Sequence, residues 1–168
     1  MVSLIKKNSK LIAHQVINLE INALKLLKKS INKNFDKAVN AIINCQSKII
    51  LCGVGKSGLI ASKIASTMSS VGSPAFSLSA NDCLHGDLGS ISKKDLLILI
   101  SNSGKSEELL PIIKFANRNK IKLIGIVSKK NSSLYNSSDI QILLPEVKEA
   151  GLGIVPTSST SVQLAIGD

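Results

Sequence analysis

The residues of this sequence that could do chemistry lie in three segments rich in glycine and hydroxyl groups. They run from Gly53 to Gly58, from Ser101 to Ser106 and from Pro156 to Ser161. Glycines let a backbone approach an anion closely, while hydroxyls and the N–H groups of a helix start donate hydrogen bonds to it. A serine at one helix start is commonly only an N-cap. Three such segments together favour a phosphate-binding site.

Groups that could transfer a proton flank these segments. The candidates are Asp82, His85, Glu107, Glu108, Glu146 and Glu149. His85 is one of two histidines, and its polar, glycine-containing surroundings favour a catalytic role over a place in the core. Glu107 and Glu108 could equally complement the dipole of a helix that begins there.

Two nucleotide-binding motifs fit the first segment less well. Gly53, Gly55 and Gly58 match the dinucleotide fingerprint, which needs an acidic residue at the end of the second strand, and Asp82 lies past that strand. A Walker loop would need a glycine where Ile50 stands. The dinucleotide interpretation therefore stays a weak alternative, and the Walker interpretation fails.

The elements that must position these segments alternate along the chain. Apolar residues at three- and four-residue intervals predict two amphipathic helices, over residues 11–31 and 34–44. Short apolar runs predict five strands, at residues 49–52, 75–78, 96–100, 123–127 and 140–144, with helices at 57–71, 106–119 and 132–137 between them. This alternation predicts an α/β fold, a three-layer sandwich around a five-stranded parallel sheet.

The order of the strands decides which segments meet. A flavodoxin-like order, 2-1-3-4-5, places the first and third strands side by side at the switch point, where ligands bind outside the carboxyl ends of the strands. The first two segments would then face each other and share one phosphate. The connection from Pro145 to Thr157 is long enough to bring the third segment back from the edge strand.

Composition excludes several classes of protein. The 168 residues, 44% of them hydrophobic, predict a single domain with a helical extension at 1–46 and an α/β core at 47–168. The net charge of +10 does not indicate nucleic-acid binding, because one of 21 basic residues is an arginine and aromatics make up 2%. We also expect no membrane span, signal peptide or metal site, and three scattered cysteines are typical of a reducing cytoplasm.

Five segments resemble the sugar isomerase (SIS) domain of arabinose-5-phosphate isomerases. They are Gly53–Gly58, His85–Gly89, Ser101–Gly104, Lys148–Ala150 and Pro156–Thr160. The resemblance implies that D-ribulose 5-phosphate and D-arabinose 5-phosphate are interconverted through an enediol, for synthesis of the lipopolysaccharide sugar Kdo. It implies no cofactor, a pentose phosphate as the substrate, and a homodimer or homotetramer.

The resemblance also implies roles for particular residues. Lys56, His85, Glu108 and Glu149 match functional positions, and Asp82 stands where the family usually has a glutamate. We expect Glu149 to act as base, His85 as proton shuttle and Lys56 as electrostatic support, although Glu149 and His85 could exchange roles. The implied phosphate-binding residues are Gly55, Ser57, Ser101, Asn102, Ser103, Ser106, Ser158, Ser159 and Thr160.

Three further expectations complete the sequence interpretation. The two N-terminal helices should pack outside the core and partly in a subunit interface, because their apolar stripes are wide. Family members carry a further histidine downstream and often CBS domains, so we expect a chain truncated inside its last helix and nearly inactive. The alternatives to an isomerase are a sugar-phosphate-sensing SIS module and a nicotinamide binder.

Overall fold

The computed structural model of this chain describes residues 8–168, so the first seven residues of the predicted extension lie outside it. Five strands are present in the described chain: β1 (Ile49–Gly53), β2 (Ala75–Ser79), β3 (Leu96–Ile100), β4 (Lys122–Val127) and β5 (Ile140–Leu143). The α-helices are α1 (Ser9–Ser30), α2 (Lys33–Ile43), α3 (Lys56–Ser70), α4 (Ala80–Cys83), α5 (Leu110–Asn119), α6 (Ser133–Ser137) and α7 (Ser158–Gly167). Two short 3-10 helices, Asp87–Ser90 and Glu107–Leu109, complete the described chain.

The strands form one parallel sheet of order β2-β1-β3-β4-β5, which confirms the predicted fold class and strand order. At the carboxyl end of β1, Gly53 pairs with Ser79 of β2 on one side and with Ile100 of β3 on the other. The segments that follow β1 and β3 therefore leave the sheet side by side. We call this side of the sheet the carboxyl edge.

Alternate residues of the strands belong to two apolar clusters, one on each face of the sheet. Ile49 and Leu51 face a cluster that includes α1, α2, α3 and α7, whereas Ile50 and Cys52 face one that includes α5 and α6. All four of these strand residues are buried, which is why the strand reads as a continuous apolar run. Both faces are thus covered, as a parallel sheet requires.

The two N-terminal helices are part of this core, so the prediction that they pack outside it is wrong for their inner faces. Ala23 and Leu27 of α1 and Ala38 of α2 are 3–6% exposed and belong to the first cluster. The reason is that α1 packs against α7, and α2 packs against β5. Among the described helices, none is both long and apolar enough to span a bilayer.

The helix predicted from residue 106 begins as the 3-10 turn Glu107–Leu109 and becomes α-helical at Leu110. Pro111 lies in the first turn of α5, where its missing N–H removes no intrahelical hydrogen bond.

Candidate active site

The loop between β1 and α3 leaves a helix start open at the carboxyl edge. Gly55 has φ +57, a left-handed conformation that favours glycine, and α3 starts at Lys56 without a side-chain cap. A Cβ on Gly58 would lie 2.8 Å from the carbonyl oxygen of Gly53, so α3 begins in contact with the end of β1. The first N–H groups of α3 have no intrahelical acceptor, so they can hold an anion.

The loop after β3 supplies a second set of donors beside the first. Ser101 is 4% exposed, and its Oγ lies 3.0 Å from the Oγ of Ser106 while accepting from the N–H of Gly104. Ser106 precedes the 3-10 turn at Glu107 without capping it. Ser103 is exposed, and its Oγ accepts from the N–H of Lys105, which leaves its proton for a ligand.

The loop before α7 is held by Glu149. Its Oε2 accepts from the N–H of Thr157 at 2.7 Å, from the hydroxyl of Thr157 at 3.1 Å and from the N–H of Ser159 at 3.2 Å. A carboxylate at a helix start is favoured by the orphan N–H groups and by the helix dipole. All three of these hydrogen bonds go to Oε2.

These contacts and the nearby Ser159 hydroxyl set the protonation state of Glu149. Partial burial raises the pKa of this carboxyl, but the Ser159 hydroxyl, the N–H groups of Thr157 and Ser159, and the Thr157 hydroxyl outweigh burial and hold the pKa below its usual value. The carboxyl is therefore ionised at neutral pH and able to accept a proton.

Two hydroxyls of this third segment, those of Thr157 and Thr160, donate to groups of the protein itself. The hydroxyl of Thr160 donates to the carbonyl of Thr157 at 2.6 Å, and Ser158 is fully buried with an Oγ that meets no partner among the described residues. The N–H of Ser159 is taken by Glu149. The first two segments are therefore better placed to bind a phosphate, and phosphate contacts by Ser158, Ser159 and Thr160 stay a prediction.

The three segments meet around a cavity of about 380 Å³. Predicted site residues in its lining are Lys56, Ser57, Asn102, Glu149, Ser159 and Thr160. Gly153, Ile154 and Pro156 also line it, so the long connection after β5 does return across the sheet, as expected from its length. The lining thus brings Glu149, Lys56 and the open start of α3 around one volume.

Other predicted residues lie outside this lining. Asp82 lines a separate cavity of about 490 Å³, which shares Val54 with the first. His85 is exposed, and Glu108 lies partly buried in the 3-10 turn. Among the residues described, neither is in the lining of the Glu149 cavity, and the second segment contributes only Asn102 to it. Glu149 and Lys56 are thus brought together, but His85 is not brought to them.

Two residues of this site were missed by the sequence interpretation. Thr157 anchors Glu149, and Gln163 of α7 accepts a hydrogen bond from Ser57. A clue to Gln163 was present, because it is a single amide within the apolar run of Val162, Leu164 and Ile166. Thr157 lies in the third hydroxyl-rich segment, but no local pattern indicated that it holds Glu149, since that partner lies eight residues earlier across an irregular loop.

Comparison with known proteins identifies the family. A family model for the SIS domain matches residues 42–168 of this chain. The chain belongs to the SIS domain family. The matched range contains the whole sheet and all three loops of the carboxyl edge.

Curated relatives resemble this SIS chain along nearly its full length. An uncharacterised protein of Rickettsia prowazekii is 40% identical over 96% of this chain and 50% of its own length. Arabinose 5-phosphate isomerase KdsD of Yersinia pestis is 41% identical over 92% of this chain and 47% of its own length. The chain therefore spans about half the length of the curated relatives it matches.

Solved structures share the fold. An Escherichia coli CFT073 protein in complex with arabinose 5-phosphate superimposes with a TM-score of 0.85 at 36% identity, over 96% of this chain and 87% of that one. The Vibrio vulnificus NanR protein complexed with ManNAc-6P gives a TM-score of 0.80 at 19% identity, over 98% and 63%. At that lower identity the likeness shows the fold alone.

Proposed function

We propose that this chain is the SIS domain of an aldose-ketose isomerase that interconverts D-ribulose 5-phosphate and D-arabinose 5-phosphate. The observation that carries the proposal is Glu149, whose Oε2 is fixed at the start of α7 while the carboxylate lines a cavity with Lys56 and Ser57. The KdsD relative and the structural neighbour in complex with arabinose 5-phosphate support this substrate class.

The chemistry requires a base beside the reacting carbons. Glu149 removes a proton from C1 of the ketose, the electron pair of that bond forms the C1–C2 double bond, and the C2 oxygen takes up a proton. Return of a proton to C2 and loss of the C1 hydroxyl proton then complete the aldose. Lys56 stabilises the negative charge that develops on the enediol.

The position of Glu149 in the cavity supports it, rather than His85, as the base. The sequence left Glu149 and His85 interchangeable, but only Glu149 lines the cavity that contains Lys56. We therefore assign the carbon-bound proton to Glu149. The transfer of protons between the two sugar oxygens by His85 stays a prediction, as do the roles of Asp82 and Glu108.

Phosphate binding supplies the energy that positions the sugar. The open start of α3, Ser57 and the hydroxyls of Ser103 and Ser106 offer donors, and contacts remote from the reacting carbons can offset the entropy lost on binding. We place the product in Kdo synthesis, as the KdsD relationship suggests. Free thiols at Cys45, Cys52 and Cys83 fit a reducing compartment such as the cytoplasm.

We also propose that the functional unit is a homo-oligomer. One flank of α1 exposes Ile17, Ile21 and Leu24, which lie one turn apart, to 55%, 42% and 39%. Contiguous apolar surface of this kind usually marks an interface. A second copy of the chain is the occupant that the family resemblance implies.

Turnover with a panel of sugars tests the proposed function. A version of the chain extended to the length of its curated relatives should convert D-ribulose 5-phosphate into D-arabinose 5-phosphate and act far more weakly on unphosphorylated D-ribulose, because the phosphate contacts are then lost. Glu149→Gln should remove turnover and keep binding. Binding of the pentose phosphate without any turnover by this extended version, in a sample that is folded by circular dichroism, would replace the isomerase by a sugar-phosphate sensor.

A further inference from the structure

Gln163 is a buried polar residue beside the phosphate-binding loops. It lies on α7, is 1% exposed, and its Oε1 accepts from the hydroxyl of Ser57 at 2.9 Å. The same residue belongs to the lining of the Glu149 cavity. A hydrogen bond between residues 106 positions apart thus joins the start of α3 to the middle of α7 inside the candidate site.

The direction of this hydrogen bond conflicts with anion binding. When Ser57 donates to Gln163, its proton points at the amide, and only lone pairs of its oxygen are left for the cavity. A phosphate oxygen facing those lone pairs would be repelled. Ser57 can donate to a phosphate only if its proton is released from Gln163.

The amide of Gln163 can release that proton without moving away. Rotation by half a turn about its last side-chain bond exchanges Oε1 and Nε2 with little change in shape. The Nε2 group then donates to the Ser57 oxygen, and the Ser57 proton is free for the ligand.

We propose that Gln163 is a positioning residue that sets the direction of the Ser57 hydroxyl, accepting from it in the empty site and donating to it when a phosphate is bound. The inference rests on the anion site of the proposed function and goes beyond it, because it assigns specificity for an anion to a residue outside the three loops. A glutamate in place of Gln163 has the same shape but only accepts at neutral pH, so it would hold the Ser57 proton permanently.

A double-mutant cycle separates this role from simple electrostatic repulsion. The four proteins are the unmodified chain, Gln163→Glu, Ser57→Ala and the double variant, and calorimetry measures their affinities for D-ribulose 5-phosphate and for inorganic phosphate. Repulsion between the new carboxylate and the ligand is present in both backgrounds and cancels in the cycle. Gln46→Glu, at the opposite edge of the sheet, adds the same charge as a control.

We expect Gln163→Glu to weaken binding about tenfold more in the presence of Ser57 than in the Ser57→Ala background, because one hydrogen bond to a charged group is at stake. If turnover is measurable, KM should rise while kcat changes little. Equal losses in both backgrounds would overturn the proposal, as would a chain that binds neither ligand. If the double-mutant cycle gives the expected difference in binding but no turnover is measured, only the proposed isomerase activity is contradicted.

A second variant separates the loss of this hydrogen bond from a loss of folded structure. Gln163→Met keeps the volume and makes no hydrogen bond, so Ser57 stays free to donate and binding should change less than about threefold. A similar loss in the Met and Glu variants, with unchanged thermal unfolding, would show that Gln163 only ties α7 to α3, against the proposal.

Discussion

Glu149 both holds the start of α7 and acts as the proposed base, and these two roles favour opposite changes in its basicity. Its Oε2 holds the start of α7 through Thr157 and Ser159, which stabilises the ionised form. A base whose ionised form is stabilised is also a weaker base. The proposed reaction therefore depends on Lys56 in the same cavity, because a nearby positive charge stabilises the enediolate and lowers the basicity that is needed.

The lowered pKa of Glu149 makes the stability of the fold depend on pH. Because the folded-state pKa lies below the unfolded value of about 4.5, the carboxylate stabilises the fold fully above pH 4.5 and loses this effect as the pH falls through the folded-state pKa. Urea unfolding over this range should show a smaller loss of stability in Glu149→Gln than in the unmodified protein. Glu146→Gln, an exposed neighbour, is the control. Equal acid sensitivity of both variants would show that Glu149 does not stabilise α7.

The serines after β3 should carry much of the phosphate affinity. Replacing Ser103 and Ser106 together by alanine is expected to weaken sugar-phosphate binding by about 2–4 kcal/mol, since each hydrogen bond to a charged group contributes ~1.5–3 kcal/mol. Calorimetric titration measures the loss. Replacement of Ser62 and Ser66, two exposed serines on α3, should leave binding unchanged. Full affinity in the first variant would place the phosphate elsewhere.

At the scale of elements, α1 packs against the core through a narrow buried stripe of side chains. Leu27 is 5% exposed and packs in the core, whereas the adjacent Leu26 is 46% exposed. Leu27→Ala should therefore lower the free energy of unfolding by about 2–4 kcal/mol, and Leu26→Ala by less than ~1 kcal/mol. Urea denaturation of the two variants gives the comparison. Equal effects would mean that α1 is not docked through this face.

The strands and their order could be predicted from the sequence because both faces of the sheet are covered. Five short apolar runs, each bounded by turn residues, gave the strands within one or two residues, and β1 needed only its final residue, Gly53, added. The parallel direction followed from alternation with helices, and the order 2-1-3-4-5 was predicted as the flavodoxin-like arrangement of such a sheet. Glycine and serine residues at the strand ends then indicated the carboxyl edge, where Lys56 and Ser57 line the cavity.

Contacts between distant segments could not be predicted in the same way. That Ala23 and Leu27 enter the core depends on α1 lying against α7, which no local periodicity specifies. The hydrogen bond from Ser57 to Gln163 joins segments whose separation depends on the whole sheet. Hydroxyl-rich composition could not show that Thr157 and Ser159 bind Glu149 rather than a phosphate.

For the whole molecule, the exposed face of α1 predicts self-association. Light scattering at tens of micromolar should give at least twice the chain mass of 17.8 kDa. Ile17→Ser together with Leu24→Ser, both on the exposed face, should shift the mass toward that of the monomer without lowering helix content. A monodisperse monomer of the unmodified protein would contradict the interface.

Proton exchange with solvent tests the central claim, that Glu149 in this cavity removes a proton from C1 of a pentose 5-phosphate. Incubation with D-ribulose 5-phosphate in deuterium oxide, followed by proton NMR, detects this step even when overall turnover is slow. The account predicts exchange of one C1 hydrogen and formation of arabinose 5-phosphate labelled at C2, both lost in Glu149→Gln although the sugar phosphate still binds. No exchange at C1 by a protein that binds the sugar phosphate, or equal exchange in the variant, would contradict it.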